Sequence, residues 1–171
     1  MKKNTLLFLF LSATGIPLFA YSTSTVKLNF TGNIKAATCS LSAGNNQSVD
    51  LTTIPLDTFY SGTKASSWKP FTIELKNCSS FINSVKLTFS GSADSADVAS
   101  LYKNSGTATN IAIQLQNGAG TTPLGNNKVL TVPTNGQALV SIPLRTRAFS
   151  SLGNGTAGTL STNITATITY L

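Results

Sequence analysis

The sequence predicts an all-β protein, an antiparallel β-sandwich, on three observations. Apolar and polar residues alternate with period two in many short runs. Clusters of Gly, Asn, Ser and Thr separate those runs. No stretch of useful length carries the periodicity of an amphipathic helix. Many short strands joined by Gly- and Asn-rich turns bury their apolar faces most simply by packing two sheets together.

The first twenty residues, MKKNTLLFLFLSATGIPLFA, stand outside that architecture. Two lysines, an apolar run from Leu6 to Leu11 and a helix-breaking stretch ending in Ala20 form a secretory leader, with cleavage after Ala20 or, alternatively, after Ser22. The run is too short to stay in a bilayer, and no other segment has the apolar length of a membrane helix. The mature chain is therefore expected to be exported and not membrane-embedded.

STVKLNFTGNI comes next. It places Val26, Leu28, Phe30, Gly32 and Ile34 on one face and Lys27, Asn29, Thr31 and Asn33 on the other. Extended, ten such residues at about 3.4 Å each make a ribbon of roughly 34 Å. Gly32 interrupts the apolar row, and glycine in a strand often marks a close approach of another backbone. SVDL, FTIELKNC, SVKLTFSG, NIAIQLQN, KVLTV and ALVSIPLRTRAF then follow as alternating runs. In FTIELKNC, Glu74 is out of phase with Phe71, Ile73 and Leu75 and is expected to face solvent. Pro143 in VSIPLRT suits an edge or an outward position lacking a ladder bond. SGSADSADVAS reads as a long polar loop with at most one helical turn. The final run, NITATITYL, sets Ile164, Ala166, Ile168 and Tyr170 against Thr165, Thr167 and Thr169. It carries neither charge nor proline, the usual devices that blunt an exposed strand edge.

Two cysteines, Cys39 and Cys78, in an exported chain are expected to form a disulfide closing a 39-residue loop. An immunoglobulin domain places its tryptophan shortly after the first cysteine, with the second cysteine much farther on. Here Trp68 lies only ten residues before Cys78, so the sandwich is immunoglobulin-like in class but wired differently.

The chemistry is sparse. There is no histidine, which removes Ser–His and Cys–His nucleophilic pairs and the commonest metal ligand. The five acids, Asp50, Asp57, Glu74, Asp94 and Asp97, form neither a calcium loop nor a favoured carboxylate pair. No enzyme, cofactor or metal site is expected. Net charge is +7, or +5 without Lys2 and Lys3, and the lysines are scattered. That pattern argues against nucleic acid, which needs a concentrated basic stripe.

The two ends share a property. One alternating ribbon precedes the first disulfide anchor, and one alternating strand has no run after it to pair with. The joint expectation is strand addition between molecules, with main-chain hydrogen bonds supplying affinity and alternate side chains supplying register. In that setting VKLNFTGNI, AATCSLS, the second cysteine of FTIELKNC and the terminal strand with penultimate Tyr170 resemble the subunits of chaperone–usher fimbriae. SSWKPFTIELKNC, FSGSADS and LYKNSGTATNIAIQLQ resemble most the minor tip adaptors of type 1 fimbriae.

The resemblance implies an incomplete immunoglobulin-like sandwich lacking its final strand, with residues 1–20 as signal peptide, 21–35 as donor-strand extension and 36–171 as pilin domain. It implies Val26, Leu28, Phe30, Gly32 and Ile34 as the donor face, and Ile164, Ala166, Ile168 and Tyr170 as one wall of an acceptor groove. The carboxylate of Leu171 becomes an anchor for basic residues of a periplasmic chaperone, and Cys39 and Cys78 match the family disulfide. The implied partners are that chaperone, an outer-membrane usher and neighbouring fimbrial subunits. A major rod pilin, a self-contained secreted sandwich and a sugar-binding adhesin domain are the alternatives. Two departures from the family pattern are Asn110, where many members have Gly, and Phe149, where many have Tyr.

Overall fold

The computed structural model describes residues 24–171. The leader assigned to residues 1–20, and the first residues of the 21–35 extension, lie outside the described residues. Lys35–Leu171 form one compact unit, and the chain up to Ile34 forms another.

The larger unit contains eight strands: β1 (Ser40–Leu41), β2 (Lys69–Lys76), β3 (Ser84–Gly91), β4 (Leu101–Lys103), β5 (Ala112–Asn117), β6 (Val129–Pro133), β7 (Val140–Phe149) and β8 (Ile164–Tyr170). A single 3₁₀ turn, Leu56–Phe59, is the only helical element among the described residues. The strands form two antiparallel sheets, one of five in the order β1-β2-β7-β5-β4 and one of three in the order β6-β3-β8. Leu75, Ile113, Leu115, Ile142 and Leu144 of the first sheet and Val85, Leu87 and Phe89 of the second belong to one buried core. Tyr102 is buried with them and donates its hydroxyl to the Leu124 carbonyl at 3.0 Å. Burial of the phenol pushes its pKa up to about 12.

Six of the alternating runs, from FTIELKNC to NITATITYL, form strands β2, β3, β5, β6, β7 and β8. SVDL does not. Asp50 Oδ1 accepts the Thr52 N–H at 2.8 Å, and Thr52 takes φ +60°, so a local side-chain turn displaces the ladder there. SGSADSADVAS starts as the last two residues of β3 and continues as a loop with turns and without a helix. Asp94 accepts from the Ala96 N–H and Asp97 from the Ala99 N–H. The bond from Ser100 Oγ is the main reason that the Asp97 pKa lies below the usual carboxylate value. Glu74 is exposed as expected, with the Ser141 hydroxyl bonded to its carboxylate at 2.7 and 2.8 Å.

Pro143 is not on an edge. It lies in β7, the central strand of the five, with its ring outward. Its carbonyl accepts the Gly118 N–H at 2.8 Å, just past the end of β5. In an antiparallel strand a residue's N–H and C=O point the same way, so the missing donor falls where the β5 ladder has already ended.

The disulfide between Cys39 and Cys78 is present, with Cα atoms 4.1 Å apart. It ties the residue before β1 to the end of β2. Trp68 takes no immunoglobulin-like core position. It stands half-buried beside β7, and the guanidinium carbons of Arg145 and Arg147 each lie 4.3 Å from its ring centre. Gln116 and Gln114 of β5 accept from the two arginines.

Candidate assembly edge

A two-layer sandwich has four strand edges, and here they are unequal. β1 is two residues long, β4 is three, and β6 is five and ends in Pro133. β8 is seven residues long, with no proline and no charge. It pairs with β3 on one side over its full length, from Val85↔Tyr170 to Gly91↔Ile164. On its other side it has no strand partner among the described residues.

The ladder shows which backbone groups face outward. The Leu171 N–H donates to the Ser84 carbonyl at 2.9 Å, and the Ser84 N–H donates to the Leu171 terminal oxygen at 3.1 Å. Thr169, Thr167 and Thr165 share that phase and turn their N–H and C=O toward β3. Ile164, Ala166, Ile168 and Tyr170 therefore turn theirs toward the open edge. These four are also the residues whose side chains point inward, so one set of positions presents both the free main chain and the apolar face.

Burial changes sharply across one ladder step. Leu87 of β3 has 0% of its surface exposed, whereas Ile168 directly opposite it is only half-buried. The same holds for Val85 beside Tyr170 and Phe89 beside Ala166. An inward-facing row that is dry on one strand and half-wet on its neighbour lacks a cover on the far side. Tyr170 closes one end of this row, donating its hydroxyl to the Cys39 carbonyl at 3.2 Å. Leu41, Leu51, Ile54 and Leu160 are also half-buried against the core. Sequence reading singles out none of them for the site: Leu51 reads as part of the SVDL run, and the others stand in irregular segments or in a strand of two residues, where no period exists. The structure thus brings Ile164, Ala166, Ile168 and Tyr170 together on one wall. Leu171 follows directly and is half exposed, its terminal carboxylate oxygen also accepting the Asn83 N–H at 2.7 Å.

Residues 24–39 carry no strand. Val26, Leu28, Phe30 and Ile34 are all exposed, Phe30 at 90%, and nothing lies within 4 Å of a Cβ built on Gly32. A single ribbon has no ladder of its own to hold it as a strand.

Among the described residues no group of three or more metal-binding side chains occurs, and no helix is long and apolar enough to cross a membrane.

The larger unit is thus an immunoglobulin-like sandwich with one long, uncharged strand edge that has no strand partner among the described residues. Residues 28–171 match the family model of the fimbrial protein, and the chain belongs to that family. It is a structural subunit of an adhesive fimbria, exported to the cell surface. It is 36% identical over 146 residues to protein FimG of Escherichia coli K12, covering 85% of this chain and 84% of that one. It is 34% identical over 164 residues to the S-fimbrial adhesin protein SfaS of Escherichia coli O6:K15:H31, covering 92% and 94%. In fold it is similar to the P pilus rod subunit PapA, with a TM-score of 0.63, 23% identity and coverage of 78% of this chain and 99% of that one.

Proposed function

We propose that this subunit assembles by donor-strand exchange and serves as a minor tip adaptor without catalytic activity. In this reading the edge of β8 is an acceptor groove. Ile164, Ala166, Ile168 and Tyr170 form one wall, and Leu41, Leu51 and Ile54 contribute to the other. A periplasmic chaperone covers the groove first, with the Leu171 carboxylate as its anchor, and at an outer-membrane usher the ribbon of another subunit replaces it. This chain's own ribbon fills the groove of its neighbour in turn. The step from full burial at Leu87 to half-burial at Ile168 is the observation that carries the reading. Similarity to FimG over most of both chains supports the adaptor role over a rod pilin.

The donor face has the required energetics. Val26, Leu28, Phe30 and Ile34 each gain roughly 1.5–3 kcal/mol on full burial. A one-residue slip would present Lys27 and Asn29 to the groove instead. The test is a pairing assay in which ribbon peptides displace chaperone from a chaperone-bound neighbouring subunit. Wild-type peptide should displace it, and peptide carrying Gly32→Leu or Phe30→Asp should not. Equal displacement by the Gly32→Leu peptide would remove the donor-face assignment.

A second reading, receptor binding by this domain itself, is favoured by the similarity to SfaS, a protein named as an adhesin and of similar length. Glycan-array binding by the purified subunit, with its groove filled by ribbon peptide, separates the two readings.

A further inference from the structure

We infer that the end of the sandwich carrying Phe81 and Leu139 is the docking surface for the subunit that receives this chain's N-terminal ribbon. The inference rests on the donor role proposed for residues 24–34 and adds to it a second contact.

The first argument is reach. Ile34 and Cys39 are five residues apart. Even fully extended, that tether spans at most roughly 18 Å. A subunit holding Ile34 in its groove is thus held close to the end of the body where Cys39 enters. That end is well defined. Cys39 is bridged to Cys78, the Cys78 N–H donates to the Ala138 carbonyl at 3.1 Å, and the Ser79 N–H donates to the Thr38 carbonyl at 3.3 Å. The loop after β2 and the loop before β7 therefore meet at the point where the tether leaves.

The second argument is what those two loops display. Phe81 is 87% exposed and Leu139 is 69% exposed, each on a loop fixed from beneath. Ser79 accepts the Phe81 N–H on its hydroxyl and the Ile82 N–H on its carbonyl, and the Ile82 side chain is buried. Thr134 Oγ1 donates to the Ile82 carbonyl, and the Thr134 N–H donates to the Asn83 carbonyl. Phe81 is thereby held outward on a rigid base. Leu139 is set outward by the strand phase that buries Val140. A single exposed apolar side chain needs no explanation, but two on adjoining loops beside a tether form a patch. Ser79, Ser80 and Gln137 on these loops are uncharged, while Lys76 is exposed nearby and the terminal Leu171 oxygen accepts the Asn83 N–H at 2.7 Å, so the surface has an apolar centre with a polar and charged margin. Order in these loops before binding lowers the cost of docking.

Photocrosslinking tests this. The photoreactive analogue p-benzoylphenylalanine replaces Phe81 in one variant and Leu152, on the loop between β7 and β8, in another. Each full-length chain is paired through its ribbon with the fimbrial subunit that takes up wild-type ribbon peptide. The expected result is an inter-chain adduct from position 81, several-fold more abundant than from position 152. If the strand-exchanged complex forms but position 81 gives no more adduct than position 152, the docking surface is refuted and the donor reading stands. If no complex forms with either variant or with wild type, the donor reading falls and takes this inference with it.

Discussion

At Asn110 the backbone adopts φ +57°, the left-handed region that favours glycine. The same residue is the one that departs from the glycine common in related sequences. Asparagine is among the few side chains that enter this region readily, so the departure preserves the backbone conformation. Its carbonyl accepts the Ser150 hydroxyl at 2.7 Å, which joins the turn before β5 to the end of β7. Asn110→Gly should leave the urea midpoint nearly unchanged, whereas Asn110→Val should lower stability by roughly 1–3 kcal/mol. Tyr102 makes a second residue-level prediction. Its folded pKa is raised to about 12, above the ordinary value of 10.0. The unfolded chain therefore loses this proton first, so stability is intact below pH 10 and falls as pH rises toward 12. Tyr102→Phe should flatten that alkaline decline in thermal unfolding. It should also lose about 1 kcal/mol at neutral pH from the missing bond to Leu124.

Among the elements, β8 was the most legible in sequence. Seven residues of unbroken alternation leave little room for another phase, and the structure keeps every one on its expected face. β1 and β4 were not legible, because strands of two and three residues carry no measurable period. The Arg145–Trp68–Arg147 stack was hidden for another reason: it joins neighbours across strands that are far apart in the chain. Alternation marked the inward row of β8 and the lack of a following run pointed to an open edge; the pairing adds that β3 is its one strand partner among the described residues. The phase of the ladder yields a sharp test. Thr167→Pro removes a donor from the β3 pairing and should destabilise the fold. Ala166→Pro removes a donor that points to the open edge, so the subunit should keep more of its stability while capturing chaperone poorly. Ile168→Asp would bury an unpaired charge on the same wall, and chaperone-bound subunit should vanish from the periplasm. A normal yield of that complex would place the groove elsewhere.

For the molecule as a whole, the disulfide and the uncovered edge pull in opposite directions. Closing the 39-residue loop between Cys39 and Cys78 stabilises the fold by roughly 4 kcal/mol in the chain-entropy account. The half-wet row on β8 forgoes burial that a complete sandwich would have. The isolated subunit should therefore melt low and aggregate, and should gain a large, concentration-dependent rise in melting temperature on adding a ribbon peptide that fills the groove. Cys39→Ser with Cys78→Ser should lower the melting temperature of the bare subunit and of the peptide-filled subunit by comparable amounts, because the loop constraint acts on the unfolded chain in both. A loss confined to the bare subunit would mean that the disulfide acts through Tyr170 and Cys39 on the groove instead.

The order of the strands also sets a timetable. β8 follows every other strand, and β3, its only strand partner among the described residues, lies more than seventy residues earlier in the chain. During export from the N-terminus, the ribbon and both cysteines reach the periplasm while β8 is still on the inner side. Cys39 and Cys78 can be oxidised then, fixing the end of the body that bears Phe81. Meanwhile β3 waits with one flank bare, and no acceptor edge exists for a chaperone to recognise. On the proposed reading quality control would be sequential, with the staple able to close first and the acceptor edge appearing last. Chains arrested during secretion with residue 130 already outside should carry the disulfide and fail to bind chaperone. Capture should begin only once Tyr170 has emerged.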